Sequence, residues 1–162
     1  DGTSPSDRAM TLYWPRDTRE NDALAQWCGR RIEHVGDVGF GPCRAAAVLR
    51  EGHLAAVVVF HDWQDQARTL QASIAADSPR WAGREVLEGI FGYAFTVANA
   101  NKLWAASPHN AARTLRFNKG VGLKPEATLR HHFGPKIHAV ICAMLRSEWQ
   151  RSRWYKETSH HG

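Results

Sequence analysis

Residues 110–132 read NAARTLRFNKGVGLKPEATLRHH, and the order of signals along them decides the architecture. Asn110 is placed to cap a helix, because its side-chain oxygen can accept one of the main-chain amides that a helix start leaves free. The helix runs over residues 110–119, with Gly120 near its end. A strand follows over residues 127–132 and another over residues 136–145, joined at Phe133-Gly134-Pro135. Just before the helix stands a short strand, KLWAA at residues 102–106. Strand, helix and strand in this order belong to a mixed sheet.

Further upstream, residues 83–98 form an amphipathic helix with Val86, Leu87, Ile90, Phe91, Ala94, Val97 and Ala98 on one stripe. Ahead of it lies a meander: strands at 43–50, 53–61 and 69–76, with a Glu51-Gly52 turn and a polar turn at 62–68. The run VVVF within HLAAVVVFH is apolar on both faces, which predicts a central strand covered on both sides. Residues 21–35 read as the first helix, capped by Asn21 or Asp22, striped by Leu24, Trp27, Cys28, Ile32 and Val35, and ended by Gly36. The whole is an α/β (α+β) domain over residues 10–157, while residues 1–9 and 158–162 read as vector-derived ends.

Composition narrows the function. The 162 residues make one domain with a proper core. No apolar run approaches the ~20 residues of a membrane helix, and no secretory signal is visible, so no membrane partner is expected. Cys28, Cys43 and Cys142 are scattered and odd in number, which fits reduced thiols and a cytoplasmic location; Cys142, in an apolar run, reads as core packing. Nine histidines show no HxxxH or HExxH spacing, so no metal is expected. The net charge of +5 favours a polyanion, either a nucleotide cofactor or nucleic acid. The segment RSEWQRSRWYK at 146–156 interleaves basic and aromatic residues; it reads as the end of the last strand and a solvated tail, with nucleic acid or a partner chain as the functional alternative. Trp27 and Trp104 read as core, and Trp63 and Trp81 as flanking loops near a cleft.

Four stretches together resemble the GNAT acetyltransferases: residues 69–77 followed by SPRWAGREVLEGIFGYAF, KLWAASPHN, AARTLRFNKGVGLKPEATLRHH, and MLRSEW. The similarity spans about Leu12 to Trp154 and is nearest to short phage and prophage members and the ribosomal-protein acetyltransferase branch. The resemblance implies the acyl-CoA N-acyltransferase fold, a mixed, mostly antiparallel sheet of about six or seven strands flanked by about four helices. It also implies acetyl-CoA as cofactor and a primary amine, on a protein or a small molecule, as acceptor. A homodimer is a further expectation of the same resemblance. The alternatives are a phage-type protein of this fold acting on nucleic acid and a non-catalytic coenzyme A-binding domain.

The resemblance also assigns residues. The family's Q/R-x-x-G-x-G/A loop before a helix corresponds to Arg80, Trp81, Ala82, Gly83, Arg84 and Glu85; Glu85 stands where a small residue is usual, and a register one residue earlier also fits imperfectly. A helix start there binds pyrophosphate through free amides and its dipole, with Arg80 and Arg84 adding charge. The pantetheine arm pairs like a strand along Ser73, Ile74, Ala75 and Ala76. Asn110, Arg113 and Phe117 contact the cofactor, and Ile74 or Ala75 offers the oxyanion amide. The tyrosine that many members use as acid falls on Phe117 counted from Asn110, or on Asn118 counted back from Gly122. For the base the candidates are His61 and Asp62, with Asp77, Glu88 and His109 as others; Gln71 and Ser73 are placed to line the acceptor side.

Overall fold

The computed structural model describes residues 10–157; the two terminal segments read as vector-derived lie outside the described residues. Strand β1 (Met10–Tyr13) leads into helix α1 (Thr18–Arg30) and the meander β2 (Cys43–Arg50), β3 (His53–Gln64) and β4 (Thr69–Ala76). Helix α2 (Arg84–Gly92) runs into a π-helical turn (Tyr93–Val97). Strand β5 (Lys102–Pro108), helix α3 (Ala112–Val121), the hairpin β6 (Lys124–Leu129) and β7 (Ala139–Leu145), and the short helix α4 (Arg146–Gln150) complete the chain. The seven strands make one sheet in the order β1-β2-β3-β4-β5-β7-β6. All neighbours are antiparallel except β4 and β5.

The two faces of β3 show why its run is apolar throughout. Val57 and Val59 pack with Ala45, Ala75 and Cys28 beneath α1. Val58 and Phe60 pack with Val86, Ile90 and Phe91 of α2 on the opposite face. Burial pushes the Cys28 thiol up to about 12, which leaves it inert.

Helix α1 begins earlier and ends sooner than the pattern predicts. Asp17 caps it, its Oδ1 accepting the Glu20 amide at 2.9 Å. Asn21 is instead buried inside the helix, where Nδ2 donates to the Cys43 carbonyl and Oδ1 accepts the Ala45 amide. Strand β1 pairs only with residues 47–50 of β2, so Asn21 satisfies a stretch of β2 edge that β1 does not reach. After Arg30 the chain tightens, Arg31 and Ile32 bonding back to Cys28 and Gly29, and residues 31–38 form turns with Gly36 at φ 54°. Trp27, expected in the core, is half-buried under the Arg31 guanidinium, 3.5 Å from its ring; Trp104 is half-buried too.

Other boundaries move for local reasons. Strand β3 continues three residues past His61 through a bulge at which Asp62 takes φ 53°. The helix expected over residues 83–98 is α-helical only to Gly92, because the next turn is wide, with Ala98 donating to Tyr93 at 2.8 Å. Neither Asn110 nor Gly120 bounds α3. Ala111 is the cap residue, without a side-chain bond, and Gly122 at φ 105° ends the helix, its amide reaching the Asn118 and Lys119 carbonyls. A β-carbon on Gly122 would meet the terminal methyl of Met144 at 3.1 Å, a tight contact that adds to the left-handed φ in favouring glycine. Strand β6 therefore starts at Lys124 and stops before His131 at φ 54°; β7 starts at Ala139, after Gly134 and Lys136 have both taken positive φ.

The C-terminal segment is not a solvated tail. Trp149 and Trp154 are 3% and 6% exposed, Trp149 stacks on Phe95, and the Trp154 indole donates to the Val121 carbonyl at 2.8 Å. These two rings are core, so they are not free to stack on nucleic-acid bases. Arg146 adds a clamp: one guanidinium nitrogen reaches the Phe95 and Ala100 carbonyls and Asn99 Oδ1.

Candidate active site

The parallel pair at the centre of the sheet is only partly zipped. Thr69, Leu70 and Gln71 of β4 register with Lys102, Leu103 and Trp104 of β5, and beyond them the strands have no partners in register across the gap among the described residues. A cleft of about 860 Å³ opens there, with Ala72, Ser73, Ile74 and Ala76 on one wall and Ala105, Ala106, Ser107 and Pro108 on the other.

Ladder alternation says which main-chain groups face this gap. Asp77 donates to the Ala55 carbonyl, so the odd-numbered residues of β4 bond to β3 and the even-numbered ones face β5. Likewise His109 donates to the His138 carbonyl, so the odd-numbered residues of β5 bond to β7 and Ala106 faces β4. The amides and carbonyls of Ile74, Ala76 and Ala106 thus edge the cleft. The Ala75 amide points toward β3, which leaves Ile74 as the amide donor of the two considered.

The side chains divide by face. Ser73 lies opposite Val59 and shares its α1 face; Ala72 and Ile74 point to the α2 face. On the α2 face the cleft is bounded by Trp81 and Phe117, with ring centroids 5.1 Å apart, and by Asn118, whose Nδ2 donates to Ser107 Oγ at 3.2 Å. Asn110 and Arg113 also line it. On the α1 face stand Arg31, Glu33 and His34 from the turns after α1, and Phe133 and Ile137 from the loop before β7. Arg31 pairs with Asp77 at 3.1 Å, and His34 stacks on Phe133 at 4.0 Å.

His61 and Asp62 do not line the cleft, but they reach it through Ser73. His61 is 7% exposed; Nδ1 meets Asp62 Oδ2 at 3.0 Å, and Nε2 meets Ser73 Oγ at 2.8 Å. A carboxylate only accepts, so Nδ1 carries the proton and Nε2 accepts from the Ser73 hydroxyl. Burial lowers the His61 pKa below the usual 6.5, and Asp62 offsets part of that.

The loop before α2 lies beside the cleft. Only Trp81 of its six expected residues lines it; Arg80, Ala82, Gly83, Arg84 and Glu85 do not. Gly83 is the cap residue of α2 and brings no side-chain acceptor, so the first amides of the helix keep free N–H groups. Arg80 and Arg84 are exposed next to them, although Arg84 also pairs with Glu88 at 3.0 Å.

The remaining candidates go elsewhere. Glu88 is held between Arg84 and Lys156, and His109 accepts the His138 amide. Trp63 is 38% exposed on the β3 extension, and Gln71 sits in the zipped part of β4. Sequence reasoning missed Ser107, Arg31, His34, Phe133 and Ile137. Ser107 had a signal, as the one uncharged polar residue inside KLWAASP. Arg31 and His34 had none while residues 31–35 were read as helix.

No family model and no curated protein matches the chain. Solved structures do. Spermidine/spermine N-acetyltransferase SpeG from Vibrio cholerae in complex with manganese ions superposes with a TM-score of 0.69 at 14% identity, over 90% of this chain and 98% of that one. Spermidine N-acetyltransferase from Vibrio cholerae in complex with CoA and spermine gives 0.66 at 15% identity, over 87% and 98%. A probable acetyltransferase gives 0.64 at 14%, over 91% and 98%. The fold is that of the GNAT acetyltransferases. The GNAT-fold match extends across nearly the whole of each chain. At these identities the likeness concerns the fold.

Proposed function

We propose that this chain is an N-acetyltransferase that moves the acetyl group of acetyl-CoA to a primary amine by direct attack. The observation that carries the reading is the split of β4 from β5, which leaves main-chain donors and acceptors along a cleft inside a GNAT fold. Such an edge is satisfied by an extended ligand with amides of its own. Coenzyme A has two in its pantetheine arm, for which Ile74, Ala76 and Ala106 provide the partners. Its pyrophosphate suits the uncapped start of α2, where the dipole and the Arg80 and Arg84 side chains favour anions. Trp81 and Phe117 pack along the arm, and Asn110 and Arg113 stand at the start of α3.

Acetyl-CoA supplies an acetyl group activated as a thioester. The Ile74 amide faces the cleft and is placed to hold the carbonyl oxygen as charge develops there. Asn118 lines the cleft and would donate to the sulfur in place of a phenolic acid, and a thiolate leaves readily at neutral pH without one. The base belongs to the group of Asp62, His61 and Ser73. Calorimetric titration with acetyl-CoA, repeated on Asn110→Ala and Gly83→Glu, tests the cofactor site. Micromolar binding weakened by both changes supports the reading, and absence of binding overturns it. Binding without turnover across a broad amine panel would make the chain a coenzyme A-binding domain instead.

A further inference from the structure

We propose that Ser73 Oγ is the atom that takes the proton from the attacking amine, and that Ser73, His61 and Asp62 form a three-member relay carrying that proton away from the cleft. This rests on the acetyltransferase reading above and adds the route of the proton. Three observations carry it. Ser73 lines the cleft, while His61, one strand away and 7% exposed, does not, so His61 reaches the cleft through Ser73. The two contacts are short and run in one direction: Asp62 Oδ2 to His61 Nδ1 at 3.0 Å, and His61 Nε2 to Ser73 Oγ at 2.8 Å. Asp62 takes a left-handed φ of 53° at a bulge, which aspartate adopts more readily than most side-chain-bearing residues, and its carboxylate reaches back to the preceding ring.

The relay also lies on one side only. Ser73 and His61 are on the α1 face, whereas Asn118, Ser107, Trp81 and Phe117 are on the other. The amine is therefore expected from the α1 side, past Arg31, His34 and Phe133. As the nitrogen–carbon bond forms, the amine proton passes to Ser73 Oγ while the Ser73 hydroxyl proton passes to His61 Nε2. The carbon–sulfur bond breaks with its electron pair on sulfur. The imidazolium, steadied by Asp62, returns its proton to solvent, and the thiolate takes one from solvent, so no net proton or electron is gained. The titratable groups facing His61 are Asp62 on its own strand, His34 from the turns after α1, and the Cys43 thiol opposite it on β2.

The test uses the whole protein with acetyl-CoA and the best amine from the panel, and compares Ser73→Ala, His61→Gln and Asp62→Asn. Ser73→Ala and His61→Gln are expected to lower kcat by about 100-fold with acetyl-CoA affinity unchanged. His61→Gln should also remove the acidic limb of the rate profile, which in the parent falls as pH drops through the His61 pKa below 6.5. Asparagine tolerates positive φ, so Asp62→Asn keeps the fold while removing the charge that steadies the imidazolium, and it is expected to lower kcat by about tenfold. A second readout needs no turnover: long-range proton–nitrogen spectra should show His61 protonated at Nδ1 in the parent, and a changed nitrogen shift at Nε2 in Ser73→Ala. Parent-like rates and pH profile in Ser73→Ala, or an Nε2–H tautomer, would overturn the relay. A stable acetyl group found on Ser73 would also overturn it, by making the serine a nucleophile. A parent that binds no acetyl-CoA, or turns over no amine, would instead count against the acetyltransferase reading.

Discussion

The two faces of the split between β4 and β5 are built from different chemistry. On the α2 side are the half-buried and buried rings of Phe117 and Trp81, the small side chains of Ala72 and Ala105, and two neutral polar groups, Ser107 and Asn118. On the α1 side are Arg31, Glu33, His34 and Asp77, with His61 and Asp62 behind Ser73. A mostly apolar wall, with Arg113 of α3 as its charged side chain, suits a neutral arm held by main-chain bonds, and a titratable wall suits a partner that must lose a proton. The same pair of strands thus separates a holding side from a proton-moving side.

Four changes sharpen or break this contrast. The largest effect is expected on stability from Trp81→Ala, since the ring is 7% exposed and seated in the main core. Urea unfolding should show a loss of about 3–5 kcal/mol, against about 1–2 kcal/mol for Ser73→Ala on the other face, where His61 Nε2 loses its partner; equal losses would erase the distinction. Next, Gly83→Glu puts a carboxylate where α2 offers free amides, and titration calorimetry should show acetyl-CoA binding weakened by about 30-fold, with the His61 tautomer unchanged. Third, Asn118→Ala should lower turnover by about tenfold through loss of one hydrogen bond, again with the His61 nitrogen shifts unmoved.

The smallest effect is on acid stability. His34 and His61 are held below 6.5, chiefly by burial; His138 is also lowered, by desolvation and by the neighbouring His109, His131 and Arg130. Each therefore binds a proton in the unfolded chain at a higher pH than in the folded one. Stability is full above pH 6.5 and falls as pH drops through that value toward the folded pKa values. Melting temperature should be flat from pH 8 to about 7 and decline below about 6.5. The loop at 130–138 should exchange the His131 amide early, since His138 Nδ1 accepts it.

Much of the fold was legible because its signals are local. The bounds of β2 and β4 follow directly from alternation and turn residues, and the double-sided run in β3 marks the centre of the sheet. The misplaced ends have different causes. Asn21 is drawn from a cap to the edge of β2, whereas Gly122 rather than Gly120 ends α3 because the left-handed φ of 105° falls on it. Trp149 and Trp154 read as a basic, aromatic tail because nothing in their own segment shows the Phe95 and Val121 contacts that bury them. In the site, the segments on β4, before α2 and on α3 came from the family resemblance rather than from spacing, and of the six residues before α2 only Trp81 lines the cleft. The link from His61 to Ser73 was not legible, since it crosses two strands at a register that only the meander fixes. Arg31 and His34 reach the cleft only because α1 stops at Arg30.

The most direct measurement follows main-chain amides by proton–nitrogen correlation spectra during a titration with acetyl-CoA. The account predicts that the amides of Ile74, Ala76 and Ala106, which face the gap, shift and become protected. The amides of Ser73, Ala75 and Ser107, already bonded to β3 and β7, should shift less and keep their protection. If binding left the first three unmoved, or moved both sets alike, the split between β4 and β5 would not be the place where the cofactor arm lies.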